Sequence, residues 1–426
     1  MNKNFLALGL AAALLAPQVA GAEGFAINEW SAEGVAMGGA RMFAEDDAAN
    51  VAYNPASITK VKGEVMKSSY TYLSPHGSYK LYDSNNDEIK GEPTHNKVHA
   101  GWAVGSYYVR QINDKEWFGI GAFPRFAMVS EFERASKAST NAFFSKLNGV
   151  SVTPTYAHKF DKKWSAAVGA EINYVGLELQ KNLVIPTAGV NGTTQIEGES
   201  YALGWNAAAN YAFDDKNEIG VVYRSRIKHS LEADLKGYGT KSPASPLVGS
   251  NDVFGNAYGV VTLPDSWDIG YNHKFDKKTR LELKATRTNW STYDALNVYF
   301  DKSLVGIPGI AESSPSAKNW SNGWRYAIGL EHNFSDKYAA MAGFAFDESS
   351  IPHDGGDFMV PTGLRRTYSI GARYNDKKQT VAVALGWMDV GTLDFAGHPE
   401  KGDAYSSAHA YDSFTKIASI SYQRKF

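Results

Sequence analysis

A chain of 426 residues with a net charge of −2, a pI near 6.6 and no cysteine offers no basic surface for nucleic acid, no disulfide framework and no Cys/His set for zinc. A mean hydropathy of −0.34, with no apolar run of about 18 residues beyond the first residues, excludes a bundle of transmembrane helices. The 40 Gly, 24 Tyr, 21 Phe and 10 Trp suit a large sheet with aromatic edges.

At the start of the chain, Lys3 precedes an apolar stretch from Phe5 to Ala16, then Pro17 and the small-residue pattern Ala20-Gly21-Ala22. A positive residue, a short apolar core and a small-residue site make an export signal, so residues 1–22 are expected to be removed. Residues 23–62 do not alternate. They combine Gly34, Ala36, Gly38, Gly39 and Ala40 with Asp46, Asp47 and Asn54-Pro55-Ala56. Phe25, Ile27, Trp30, Val35, Met42 and Phe43 are too apolar for a solvated arm, so a compact plug with short helices is expected here, and a disordered tail is the alternative.

Residues 63–426 read as an antiparallel β-barrel. The strand predicted from Trp117 to Phe132 contains Pro124, and the next contains Pro154. A closed barrel has no edge strand to take a proline, which lacks the N–H for one ladder bond, so a kink or bulge is expected. If residues 133–148 close a simple hairpin, the two prolines approach each other across the pair and weaken the sheet there. The result is either a bulge with no passage or a window in the wall. Gly119, Gly121, Phe123, Pro124, Phe126 and Pro154 are its expected lining, since Phe118, Ile120, Phe123, Phe126, Met128 and Val129 are apolar on both parities.

Further along, Trp267, Ile269, Tyr271 and Phe275 alternate with Asp268, Gly270, Asn272 and Lys274. Trp324, Tyr326, Ile328 and Leu330 alternate with Arg325, Gly329 and Glu331, and Val381, Val383, Leu385 and Trp387 with Ala382, Ala384 and Gly386. Short turns recur at Asn113-Asp114-Lys115, Asp161-Lys162-Lys163, Asp214-Asp215-Lys216, Asp276-Lys277-Lys278, Ser335-Asp336-Lys337 and Asn375-Asp376-Lys377. Long polar stretches, such as 76–94, 235–257, 301–321 and 391–410, fall between them. Short turns at one end and long loops at the other are the asymmetry of outer-membrane barrels, and their number implies about fourteen strands with both chain ends at the periplasmic side. The final Phe426 adds a ring to that interface.

Several runs carry a resemblance. They are Gly24-Phe25-Ala26-Ile27-Asn28-Glu29-Trp30-Ser31, Asp46-Asp47-Ala48-Ala49-Asn50, Asn54-Pro55-Ala56, the stretch 118–132, Leu263-Pro264-Asp265-Ser266-Trp267, Ala345-Phe346-Asp347-Glu348-Ser349 and the last aromatic residue. In this order they resemble the long-chain fatty acid transporter family of FadL/TodX type. The resemblance implies a fourteen-stranded barrel plugged by an N-terminal hatch, with hydrophobic cargo entering among the outer loops, passing an inner pocket and leaving sideways through the wall. It implies no cofactor, no metal and a monomer surrounded by outer-membrane lipid and lipopolysaccharide.

In the hatch, Phe25, Asn28, Glu29, Asn54, Pro55 and Ala56 are the candidate residues, as a fixed cap or as a moving gate. A fatty acid head group needs a cation or donors. By parity and position the candidates are Arg224, Lys318, Arg325 and Arg373, and the alternative for each is a lumen charge that is hydrated or paired. Asp347 is added by the resemblance, although Glu348 stands where the family has a second Asp. Long-chain fatty acids are the expected cargo, with neutral aromatic or alkane hydrocarbons second. An outer-membrane lipid hydrolase, an open porin and an incidental phage or adhesin receptor are more remote; no short motif groups a nucleophile with a base and an orienting acid.

Overall fold

The computed structural model describes residues 24–91, 94–98, 100–185, 190–239, 253–293, 295–301, 313–391, 393–399 and 403–426. The expected export signal, residues 1–22, lies outside the described residues. Fourteen antiparallel strands follow one another around a barrel: β1 Glu64–Tyr82, β2 Gly101–Gln111, β3 Glu116–Glu131, β4 Phe144–Lys159, β5 Trp164–Ile185 and β6 Val190–Ala212. Four strands are each broken once: β7 Asn217–Arg224 with Ile227–Gly239, β8 Val253–Leu263 with Ser266–Lys274, β9 Thr279–Thr288 with Ala295–Phe300, and β10 Ser313–Ala317 with Gly323–Asn333. β11 Tyr338–Asp347, β12 Arg365–Asn375, β13 Gln379–Val390 and β14 Ser407–Lys425 complete the wall. β1 pairs with β2 on one side and with β14 on the other, from Val65↔Lys425 to Tyr82↔Ser407, so the sheet closes.

Alternation decides which face is which. Tyr326, Ile328 and Leu330 are 45, 41 and 42% exposed, whereas Arg325, Ala327 and Glu331, of the other parity, are buried. Apolar side chains outside and charged ones inside invert the pattern of a water-soluble sandwich and match a wall bathed in lipid. At one end, four of the six tight turns are held by a carboxylate, at Asp161, Asp214, Asp276 and Asp376. Asp276 Oδ1 accepts the N–H of Lys278 at 2.7 Å and of Thr279 at 2.8 Å, and Asp161 and Asp376 repeat this geometry. At the other end, the loops gather Tyr79, Phe132, Phe358, Phe395 and Tyr405 into an aromatic cap.

Residues 24–62 fill the lumen. Helix α1 (Ala32–Ala36) starts at Ser31, whose hydroxyl accepts the Gly34 N–H at 3.0 Å. Helix α2 (Asn50–Tyr53) leads into a 3₁₀ helix, Pro55–Lys60, where Asn54 accepts the Ala56 N–H at 3.1 Å and Pro55 takes the first position. This explains the Asn-Pro-Ala run. The wall leaves room for the plug by facing it with glycine. A Cβ on Gly343 would lie 2.1 Å from the Met37 carbonyl carbon, and one on Gly371 would lie 2.5 Å from the Ala36 Cβ.

Candidate functional site

The wall is interrupted between β2 and β3. Their ladder runs from Gln111↔Trp117 to Ser106↔Ala122 and ends there, while Gly101 to Gly105 stay paired with β1. Beyond Ala122, β3 follows β4 as far as Glu131↔Phe144, with one bulge at Arg125 directly after Pro124. The far end of the opening is bounded where Lys97 N–H donates to the Glu131 carbonyl at 2.7 Å. The backbone groups that β2 would have satisfied are taken by the hatch. Ile27 N–H donates to the Arg125 carbonyl at 2.8 Å, Ala127 N–H to the Phe25 carbonyl at 2.9 Å, and the Trp30 indole to the Pro124 carbonyl at 2.5 Å. Ala26 and Phe126 form a bridge at the centre.

From this short pairing Phe25 projects into an aromatic cage. Its ring lies 4.7 Å from Trp290, 5.4 Å from Tyr293, 5.9 Å from Trp320 and 6.0 Å from Phe126. Met128, Leu147, Val175, Leu177, Ile227, Leu231 and Ile351 extend the apolar lining. Full burial of such a ring is worth about 1.5–3 kcal/mol, which an incoming cargo has to match to replace it. Gly24, at φ +63°, lies so close that a Cβ there would meet the Trp320 ring at 2.5 Å. A void of about 60 Å³ lies between Met128, Ser130, Val360, Arg365 and Met388.

The direct path through the lumen is occupied by charge. Arg41 pairs with Asp47 at 3.0 Å and with Glu331 at 3.1 Å, and Glu331 also takes Arg280 at 2.8 Å and Arg373 at 2.7 Å. Lys67 joins Glu33 at 2.8 Å to Asp47 at 2.9 Å. Burial by itself would raise the Asp47 carboxyl, but Lys67 and then Arg41 outweigh it and hold it well below the ordinary range. Glu282 accepts the Met42 N–H at 2.6 Å, fixing the next hatch turn. On the side of the short turns a cavity of about 900 Å³ opens among Arg41, Asp47, Arg280, Glu331 and Arg373. An apolar molecule in the cage therefore has the hatch-covered break in the wall beside it and ion pairs below it.

The sequence fits the profile of the family described as outer membrane protein transport protein (OMPP1/FadL/TodX) over residues 13–423. The chain belongs to this family. It is 24% identical to a long-chain fatty acid transport protein of Escherichia coli O6:H1, covering 95% of this chain and 94% of the relative. It is 23% identical to outer membrane protein P1 of Haemophilus influenzae, over 88 and 86% of the two chains. Among solved structures it shares the fold of a Pseudomonas aeruginosa FadL homologue (TM-score 0.83, 17% identity, 95 and 100% covered) and of the Pseudomonas putida toluene transporter TodX (0.70, 17%, 95 and 100%). As a member of the OMPP1/FadL/TodX family, the chain is an outer-membrane β-barrel transporter of hydrophobic compounds and not an enzyme.

Within this FadL/TodX barrel the residues singled out by sequence fall in distinct places. Asn28, Glu29, Asn54, Pro55 and Ala56 lie within the hatch: the Asn28 carbonyl accepts the Tyr53 hydroxyl at 3.2 Å, and Asn54 donates to Asn210 at 2.7 Å. Glu29 is buried, and that burial pushes its carboxyl up. Phe123, Pro124 and Phe126 border the window. Gly119 and Gly121 do not: they lie in the paired part of β3 and face the hatch, where a Cβ on Gly119 would be 2.8 Å from Val51. The expected meeting of the two prolines is also corrected. Pro154 faces Ile120, four residues short of Pro124, and interrupts the β4–β5 ladder between Val152↔Ile172 and Thr155↔Gly169. The β3–β4 pairing survives both prolines, and the opening lies on the other side of β3.

All five head-group candidates are engaged in ion pairs. Arg325 grips Asp347 with bonds of 2.7 and 2.8 Å, Arg373 holds Glu331, Arg224 holds Asp268 at 2.8 Å, and buried Lys318 holds Asp357. Lys318 stands two residues from Trp320 of the cage. Sequence reasoning missed Trp290, Tyr293 and Trp320, together with Arg41, Lys67 and Glu331. One signal was present for the first group: the tripeptide Asn-Trp-Ser occurs at 289–291 and again at 319–321, and each copy interrupts a strand.

Proposed function

We propose that this protein takes long-chain fatty acids across the outer membrane by passive diffusion, with lateral exit through the window beside Pro124. The observation that carries this reading is the double duty of one hatch segment. Residues 25–27 close the window by pairing with Arg125 and Ala127, and the same segment places Phe25 in the cage. Cargo that takes the place of Phe25 frees the segment from the wall. The name of the Escherichia coli relative supports fatty acids as the cargo.

The chain has no cysteine, so the segment can be locked cleanly. Ala26 and Phe126 are opposite each other in a non-hydrogen-bonded antiparallel pair, where Cα atoms lie about 4.5 Å apart, within disulfide range. A double variant, Ala26→Cys with Phe126→Cys, is expected to take up oleate when reduced and to fall to background when oxidised, with recovery on adding reductant. Equal uptake in both states, with the disulfide verified by mass spectrometry, sinks the lateral route. A second cargo, neutral hydrocarbon, is favoured by the pairing of every candidate cation with a carboxylate. Competition of oleate and toluene for the purified protein separates the two.

A further inference from the structure

Two buried donors stand without acceptors around Phe25. Trp290 is fully buried and Trp320 is 4% exposed; their rings pack 5.1 Å apart, both lie against Phe25, and neither indole N–H has an acceptor among the described residues. Buried polar groups are almost always paired, because leaving one unmet forfeits its bond to water without return. Two such donors in one aromatic cluster therefore point to a partner the closed state does not supply.

Their position indicates when that partner arrives. A Cβ on Gly24 would be 2.8 Å from Trp290 Cζ2 and 3.0 Å from Cε2, the carbon bonded to the indole nitrogen. The N–H edge of Trp290 thus lies against the segment that covers the window. Of the neighbouring cations, Lys318 is neutralised by Asp357, while Arg365 donates to the neutral Gly24 carbonyl at 3.1 Å and to Thr362. A free carboxylate beside the neutralised Lys318–Asp357 pair gains no counter-ion from it and keeps the cost of a buried charge. An uncharged oxygen acceptor carries none.

We propose that the indole N–H groups of Trp290 and Trp320 receive the oxygen end of the cargo once Phe25 has left. The pocket thereby selects long apolar molecules that end in an uncharged acceptor, a protonated carboxylic acid or its ester. This assignment rests on the transport reading above. Leu147, Val175, Leu231 and Ile351 hold the hydrocarbon part, and the two indoles distinguish an oxygenated chain from a plain hydrocarbon.

The test is displacement of a fluorescent fatty-acid analogue from the full-length protein in detergent by oleic acid, methyl oleate and 1-octadecene. It compares the native protein with variants carrying benzothienylalanine at Trp290 or at Trp320, which replaces the N–H by sulfur and keeps the ring. Methyl oleate is expected to compete about as well as oleic acid. Each replacement is expected to weaken both by about threefold to tenfold, the loss of one neutral hydrogen bond, and to leave 1-octadecene unchanged. If the analogue does not assemble, Trp290→Phe and Trp320→Phe are read by the ratio of ester to hydrocarbon affinity, which loss of ring area alone does not lower.

Unchanged affinities for all three ligands in the variants overturn the assignment and leave transport standing. So does oleate binding that methyl oleate fails to match and that Lys318→Met removes, since a cation then carries the head group. Failure of all three to bind the native protein overturns the transport reading itself, and this assignment with it.

Discussion

At the scale of single residues, the hatch is held by a few buried charges whose partners lie far apart in the chain. Glu331, projecting inward from β10, takes guanidinium groups from Arg41 in the hatch, Arg280 on β9 and Arg373 on β12. Removing its charge leaves three buried cations with fewer counter-ions, and breaking a buried pair typically costs about 3–5 kcal/mol. Glu331→Gln is therefore expected to loosen the hatch while the lipid-facing wall stays intact. Limited proteolysis should then cut within residues 41–47 of the variant, with the folded barrel unchanged on gels. Resistance equal to the native protein would mean that the apolar contacts of Met37, Met42 and Phe43 suffice alone. None of these partnerships is visible in sequence, because residues some 290 positions apart meet only once the sheet has closed.

At the scale of elements, the contrast between tight turns and interrupted strands has a common origin in backbone hydrogen bonds. The carboxylates of Asp161, Asp276 and Asp376 lie below their ordinary range because each accepts two successive backbone N–H groups. A carboxyl with a lowered folded-state value contributes stability that is complete above the unfolded value of about 3.9 and disappears as pH falls through the folded one. The triple variant Asp161→Asn, Asp276→Asn, Asp376→Asn should melt below the native protein at pH 7, and the gap should narrow as pH drops below about 4. A gap that stayed constant to pH 2 would exclude the carboxylate charge as its source. These turns were legible in sequence, since an Asp two residues before its first N–H partner is a local arrangement. The window was only half legible. Pro124 announced a fault in β3, but the fault could open towards β2 or towards β4, and the bulge at Arg125 together with capture of the free edge by residues 25–27 decides for β2.

At the scale of the whole molecule, the strand pairing that closes the wall does not run through the hatch. The β1–β14 ladder that closes the barrel uses no hatch residue, whereas the hatch depends on the wall for its counter-ions and for the room left by Gly343 and Gly371. A variant lacking residues 24–60 is expected to assemble as a heat-modifiable barrel and to pass ions in planar bilayers, where the native protein passes few. Failure of this variant to assemble would show that the hatch templates closure. On the proposed lateral route the arrangement would also set direction, because a lumen filled by ion pairs disfavours apolar cargo along the axis.

The alternation of Trp324 to Leu330, the Asp-Lys turns and the apolar residues of 23–62 determined, from sequence alone, a plugged outer-membrane barrel. Each of these is a short-range pattern that a strand, a turn or a collapsed segment imposes on neighbouring residues. The tertiary structure alone decided that Phe25 fills a cage of Trp290, Tyr293 and Trp320, that the candidate cations are spent on carboxylates, and that the opening lies between β2 and β3. Those outcomes depend on which distant side chains the closing sheet brings face to face, and register across a barrel is a property of no local stretch of chain.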